Sequence, residues 1–112
     1  MKKSRGIEEE FQPQPPGTPE EHIKRLRLNV ILHSCIYYEF NENLWDDHTF
    51  DHKCKELVKL LGENPGAYSD RFDKYFEGWS GASGFHFPHR DPWVLGKAQE
   101  LIQISNNIEG ID

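Results

Sequence analysis

Cysteine is scarce in this chain of 112 residues, with Cys35 and Cys54 the only two. Two lone cysteines exclude the dense disulfide frameworks of small secreted domains and fit reduced thiols in a cytosolic protein. Long apolar runs are missing as well, and none approaches the length that crosses a bilayer. The basic start, Met1-Lys2-Lys3-Ser4-Arg5, leads into Gly6 and the Glu8-Glu9-Glu10 run instead of an apolar stretch, so it does not read as a signal peptide. Excess positive charge is absent too. With 13 Lys and Arg against 19 Asp and Glu, the net charge is −6. Such a surface repels phosphate backbones, so direct nucleic-acid binding is not expected, whereas a basic partner could be met. Aliphatic material is thin: hydrophobic residues make up 36% of the chain. What is present instead is aromatic, with 7 Phe, 4 Tyr and 3 Trp. Large rings bury much area per residue and let a short chain offset its ordering entropy.

The chain has room for one domain. Residues 1–17 read as a disordered arm, because Pro13, Pro15 and Pro16 remove backbone donors and hold the chain extended. Residues 18–112 form a single small helical domain. Thr18 suits an N-cap, Pro19 the first helical position, and Glu21 a capping box. Ile23, Leu26, Val30, Ile31 and Ile36 carry that helix to about Phe40, with a second half apolar on several sides and therefore buried among other helices. Asn41-Glu42-Asn43 makes a turn. A second helix starts at Asp46 or Asp47, buries Phe50, Cys54, Leu57, Val58 and Leu61, and stops at Gly62. The two pack as an antiparallel hairpin. Tyr68, Phe72 and Phe76 are spaced for a short third helix from about Ser69. Gly78 to Gly84 is a glycine-rich loop, taken as a flexible turn, and Phe85-His86-Phe87-Pro88 an aromatic strip. Asp91 caps a final helix with Pro92 at its first position and Val94, Ala98, Leu101 and Ile102 inward, fraying from Asn106. The fold class is mostly α: a helical hairpin, a short third helix, a Gly/aromatic-rich loop and a C-terminal helix.

The segment Tyr37 to Asp51 carries the most chemical information. Asp47, Phe50 and Asp51 sit at i, i+3 and i+4, on one helical face, and Tyr37 and Tyr38 approach from the other arm of the hairpin. Aromatic faces then stand beside two carboxylates at the hairpin mouth. Rings stack on a flat cationic heterocycle, and carboxylates accept hydrogen bonds from ribose hydroxyls or an amide. The same residues also have structural readings: Asp47 as a cap, Phe50 as core, Asp51 as a first-turn acid, the tyrosines as hairpin packing.

Tyr37-Tyr38, Asp47, Phe50-Asp51, Glu56-Leu57 and Pro65 resemble the N-terminal helical subdomain of bacterial NAD-dependent DNA ligases, which grips the nicotinamide mononucleotide half of NAD. The resemblance runs from about Arg25 to Pro65. The whole chain looks most like short phage and prophage proteins related to that ligase, which carry only this helical piece. It implies that Tyr37 and Tyr38 face a nicotinamide ring and that Asp47 and Asp51 meet its amide or ribose. Phe50 stands where the family usually has Tyr, keeping the ring without its hydroxyl. The family's nucleotidyl-transfer lysine, in a Lys-x-Asp-Gly setting, has no counterpart: Lys53, Lys55, Lys59, Lys74 and Lys97 all lack it. Zinc-binding cysteine pairs are absent as well.

No enzyme activity is therefore expected. His33, Cys35, His48, His52 and Cys54 invite a metal, and His48 and His52 lie at i, i+4, but no zinc framework spacing exists, so solvated histidines are the simpler reading. No nucleophile turn surrounds Ser80, and the glycine loop lacks the Lys-Ser/Thr ending of a phosphate loop. Trp79, Phe85, Phe87 and Trp93 read as caps over a small core before anchors for a partner. The sequence thus points to a non-enzymatic, phage-type accessory protein of the bacterial cytoplasm. It would bind NAD or nicotinamide mononucleotide weakly, with no cofactor required, or a protein partner. An acidic module inhibiting a host or defence enzyme, or a subunit completing another polypeptide's NAD site, are the rival readings.

Overall fold

A proline cannot sit deep in a helix but starts one well, and two of the described helices begin with one directly after the capping residue. The computed structural model describes residues 17–111, with side chains as far as Asn106. Helix α1 spans Pro19–Phe40. The Thr18 hydroxyl accepts the Glu21 N–H at 3.2 Å, as the sequence implies, while the Glu21 carboxylate pairs with Arg25 one turn on. Asn41 ends the helix in the left-handed region, at φ 56°, a conformation Asn tolerates better than most residues. Helix α2 spans Asp47–Glu63, and its cap is Asp46, whose Oδ1 accepts the Thr49 N–H at 2.7 Å. Helix α3 spans Pro92–Ile111, so its helical backbone runs past Asn106, where the sequence suggests fraying. Asp91 Oδ1 accepts the Trp93 and Val94 N–H groups at its start. The mostly helical architecture expected from the sequence is what forms. The arm, residues 1–17 in the sequence reading, lies outside the described residues except for Gly17.

Helix α1 is the centre of the molecule and packs against both α2 and α3. Its Ile23, Val30, Ile31, Cys35 and Ile36 are fully buried, and they meet Cys54 and Leu57 of α2 and Val94 and Ala98 of α3. His22 on α1 lies 3.1 Å from Glu56 on α2, tying the hairpin across its outer edge. No helix among the described residues is long and apolar enough to cross a membrane.

The short third helix takes a different form. Between α2 and α3 only Asp73–Tyr75 is helical, as a single 3-10 turn. Two carboxylates shape the start of this turn. Asp70 Oδ1 accepts the Phe72 N–H at 2.8 Å, and Asp73 Oδ1 accepts the Asp70 N–H at 3.0 Å. These reciprocal bonds form a capping box, which starts a turn at Asp70. Both carboxylates are also drawn to one buried cation: Arg27 of α1 donates to Asp70 and Asp73, each at 2.6 Å. Its guanidinium lies over the Phe76 ring, 4.8 Å from the centroid. Phe72 and Phe76 still reach the core, as their spacing implies. Burial is right, and the element that achieves it is not a helix.

Candidate functional site

Two ridges of α1 form the floor of the site. His33 and Tyr37 are one turn apart, as are Ser34 and Tyr38, so each pair projects from the same side of the helix. The αL turn at Asn41 reverses the chain and brings Asn43, Leu44 and Trp45 back over the first ridge. The Trp45 indole stacks on His33 with centroids 3.8 Å apart and planes within 4°. Helix α2 then adds Asp47, Phe50 and Asp51 from its first turn, where the i, i+3, i+4 spacing keeps them together.

These groups enclose a cavity of about 320 Å³, lined by His33, Tyr37, Tyr38 and Trp45 and by Asp47, Phe50 and Asp51 among others. That is the lower end of the range typical of small-molecule sites. All five residues singled out in the sequence, Tyr37, Tyr38, Asp47, Phe50 and Asp51, border this one space. Tyr37 and Tyr38 are exposed despite their position on the central helix, at 51% and 44%. They meet edge to face at 4.9 Å, and Tyr38 also stacks on His89 at 5.0 Å. Phe50 lies half-buried near Trp45. Asp51 pairs with Lys55 one turn further along α2 at 3.1 Å. Asp47 has no ion pair among the described residues.

The opposite wall is Gly81-Ala82-Ser83-Gly84, a contribution sequence reasoning missed. The loop is no free turn: Gly81 and Gly84 are buried. Gly81 has φ +86°, and a Cβ there would stand 3.0 Å from Val58 Cγ2. At Gly84 a Cβ would come within 2.4 Å of Ser34 Oγ, so only glycine fits. Ser34 Oγ donates to the Gly84 carbonyl at 2.9 Å and lies 2.9 Å from His89 Nε2, which is itself 2.9 Å from that carbonyl. The Cys35 thiol donates to the His89 carbonyl at 3.2 Å. Gly84 and His89 are thus pinned to α1, while Gly81 stands against α2. A cluster of glycines beside small hydroxyls was the available signal, and it does not say which helix the loop will touch.

Burial sets the charge of the histidines. His33 is pushed down to about 4 by desolvation, so it is neutral at physiological pH. Desolvation also lowers His89, against the pull of its hydrogen bond to Gly84. His33 is therefore a ring in the pocket wall instead of a solvated histidine, while His48 and His52 are exposed. No group of three or more potential metal ligands occurs among the described residues. Burial pushes the Cys54 thiol up to about 12, consistent with its place in the core. Of the loop aromatics, Phe87 is buried and Trp79 and Trp93 half-buried over the core, whereas Phe85 stays 73% exposed, edge-on to Tyr38.

Over 79 residues, 70% of its length, this sequence is 32% identical to a DNA ligase of Endomicrobium trichonymphae. The chain is related to DNA ligase. It spans 12% of that ligase's length, so what is shared is a small part of a much larger protein. No family model matches the chain, and no solved structure matches it.

Proposed function

We propose that the chain is a non-enzymatic binding protein of phage type, built on the ligase-like helical hairpin, and that its pocket holds a nicotinamide nucleotide. The observation that carries this reading is the convergence of Tyr37, Tyr38, Asp47, Phe50 and Asp51, from two helices and across a turn, on one cavity of about 320 Å³. An electron-poor pyridinium stacks favourably on ring faces, and the carboxylates accept from ribose hydroxyls or the carboxamide. Catalysis is not part of the proposal, because these 112 residues hold no Lys-x-Asp-Gly lysine.

Affinity should be modest. A mononucleotide of about 22 non-hydrogen atoms, at about 0.3 kcal/mol each, would reach a Kd of tens of micromolar in a closed site. This pocket is open on one side, so about 0.1 mM is the fitting expectation. Calorimetry with NAD and nicotinamide mononucleotide tests it. Tyr38→Ala and Asp47→Ala should each weaken binding at least about fivefold, roughly the worth of one stacking or charge-assisted contact. Silence at millimolar ligand removes the nucleotide reading.

One feature favours a second reading. Phe85, Tyr37 and Tyr38 form an exposed aromatic patch at the pocket mouth, on a chain of net charge −6. Exposed rings of this kind anchor protein partners, here a basic host or defence enzyme that the chain would inhibit. Loss of no interaction on Phe85→Ala, in a pull-down from bacterial lysate at low salt, would count against it.

A further inference from the structure

Arg27 is buried in the middle of α1, and a guanidinium cut off from solvent needs a partner for each of its N–H groups. Nη2 donates to Asp70 and Asp73, each at 2.6 Å, and Nη1 to the Tyr68 carbonyl at 3.4 Å. Nε has no hydrogen-bond partner among the described residues. The same holds for Asp70 Oδ2 and for the Tyr68 hydroxyl, both of them buried atoms. These three atoms are neighbours. Nε shares one rigid guanidinium with Nη2, and Oδ2 one carboxylate with Oδ1, so the two flank a single bond of 2.6 Å. The Tyr68 ring lies under the same cation, its centroid 5.4 Å from Arg27 Cζ. Burial first, and the Asp70 carboxylate second, push its phenol above the ordinary range. The hydroxyl thus stands close enough to Asp70 to feel its charge, yet outside hydrogen-bond geometry.

Buried polar groups without partners are rare and costly, and three of them around one ion pair imply a shared partner. The donor set says what it is. Nε–H only donates, the Asp70 carboxylate only accepts, and a phenol does either. A cation would be repelled by Nε–H and an anion by Oδ2, so neither fits. A water accepts from the first, donates to the second and takes the phenol as a further contact, about three being usual for an interior water. We infer that Arg27 Nε, Asp70 Oδ2 and Tyr68 Oη bind one buried water, which completes the network tying residues 68–73 to α1. None of these residues lines the hairpin pocket, so the site stands apart from the nucleotide reading.

Tyr68→Phe in the full chain removes the oxygen and keeps the ring beside Arg27. With a water bonded there, the loss should raise the unfolding equilibrium constant in urea about fivefold. A hydroxyl without a partner predicts the reverse, because its removal ends a desolvation penalty. An unfolding constant that stays the same or drops therefore overturns the inference. A direct bond between the phenol and Asp70 would also destabilise the variant, and a high-resolution crystal structure of the parent chain tells the two apart. The expected result is one density peak within hydrogen-bond distance of all three atoms. No peak, or Tyr68 Oη bonded directly to Asp70 Oδ2, removes the site. In solution the Arg27 Nε–H should give a dipolar cross-peak to water, opposite in sign to chemical exchange in the rotating frame. Its absence would sink the inference as well.

Discussion

Replacing Gly84 with Ala perturbs the pocket at its least tolerant point. The added Cβ would lie 2.4 Å from Ser34 Oγ, 3.0 Å from Ser34 Cβ and 3.1 Å from Phe87 Cδ2. Ser34 is 2% exposed and Phe87 4%, so neither side chain can swing into solvent. The loop must move away from α1 or the Ser34 hydroxyl must give up its bonds to Gly84 and His89. Overpacking of this kind costs about 1–3 kcal/mol, and a lost buried hydrogen bond adds about 1 kcal/mol. The total expected is about 2–4 kcal/mol. A double-mutant cycle in urea isolates the cause. Ser34→Ala removes the oxygen at 2.4 Å but keeps the carbon at 3.0 Å, so Gly84→Ala should cost about 1–2 kcal/mol less in that background. The assay is the urea midpoint followed by tryptophan fluorescence and far-ultraviolet circular dichroism together. Destabilisation by Gly84→Ala below about 0.5 kcal/mol, or additivity of the two substitutions within about 0.3 kcal/mol, would refute the close approach of loop and helix.

Two further outcomes follow from charged groups. His33 titrates near 4 in the folded chain against 6.5 in a free histidine, so between those values the unfolded chain binds more protons. Stability is therefore full at neutral pH and falls as pH drops from about 6.5 toward 4, by at most about 3 kcal/mol, with His89 acting in the same direction. His33→Asn should flatten that slope, and a wild-type profile already flat over the window would contradict the burial. Asp73 and Asp91, both held below the usual carboxylate value, act in the lower window below about 3.8. Arg27→Met should destabilise by about 3–5 kcal/mol, because it strands the buried Asp70 carboxylate. Pairing it with Asp70→Leu should recover most of the loss, and a single-variant cost under about 1 kcal/mol by urea denaturation would show that the ion pair does not hold the segment.

How far the sequence reveals this structure depends on the range of the interaction concerned. The starts of all three helices are legible because each cap bonds to a backbone N–H two or three residues away. The convergence of Tyr37 and Tyr38 with Asp47, Phe50 and Asp51 is legible for a similar reason: a short turn at Asn41 leaves the hairpin little freedom of register. The stretch from Tyr68 to Asp91 is not. Its apolar spacing suits a helix, yet a 3-10 turn buries Phe72 and Phe76 equally well. The segment is tied to the core by Arg27, whose partners lie 43 and 46 residues along the chain. The loop wall of the pocket depends on contacts of Ser34 with Gly84 and His89, 50 and 55 residues away. No local pattern encodes those meetings.

The two walls therefore have different physical origins, and this separates binding from stability. The hairpin wall is local: Asp47 and Tyr37 project from helices whose packing does not need their side chains, as their exposure indicates. The loop wall is held by buried groups that also close the core, with Phe87 and His89 next to Gly84 in chain and in space. A change in the hairpin wall should alter ligand affinity while leaving the urea midpoint within about 0.5 kcal/mol of its original stability. A change at Gly84 should alter both, since the same displacement that relieves the clash enlarges the pocket. A ligand that binds the folded state recovers stability by mass action, about 2.7 kcal/mol at one hundred times its Kd. That recovery should be full in the parent chain and reduced in Gly84→Ala, because in the variant the wall against which the ligand rests has moved.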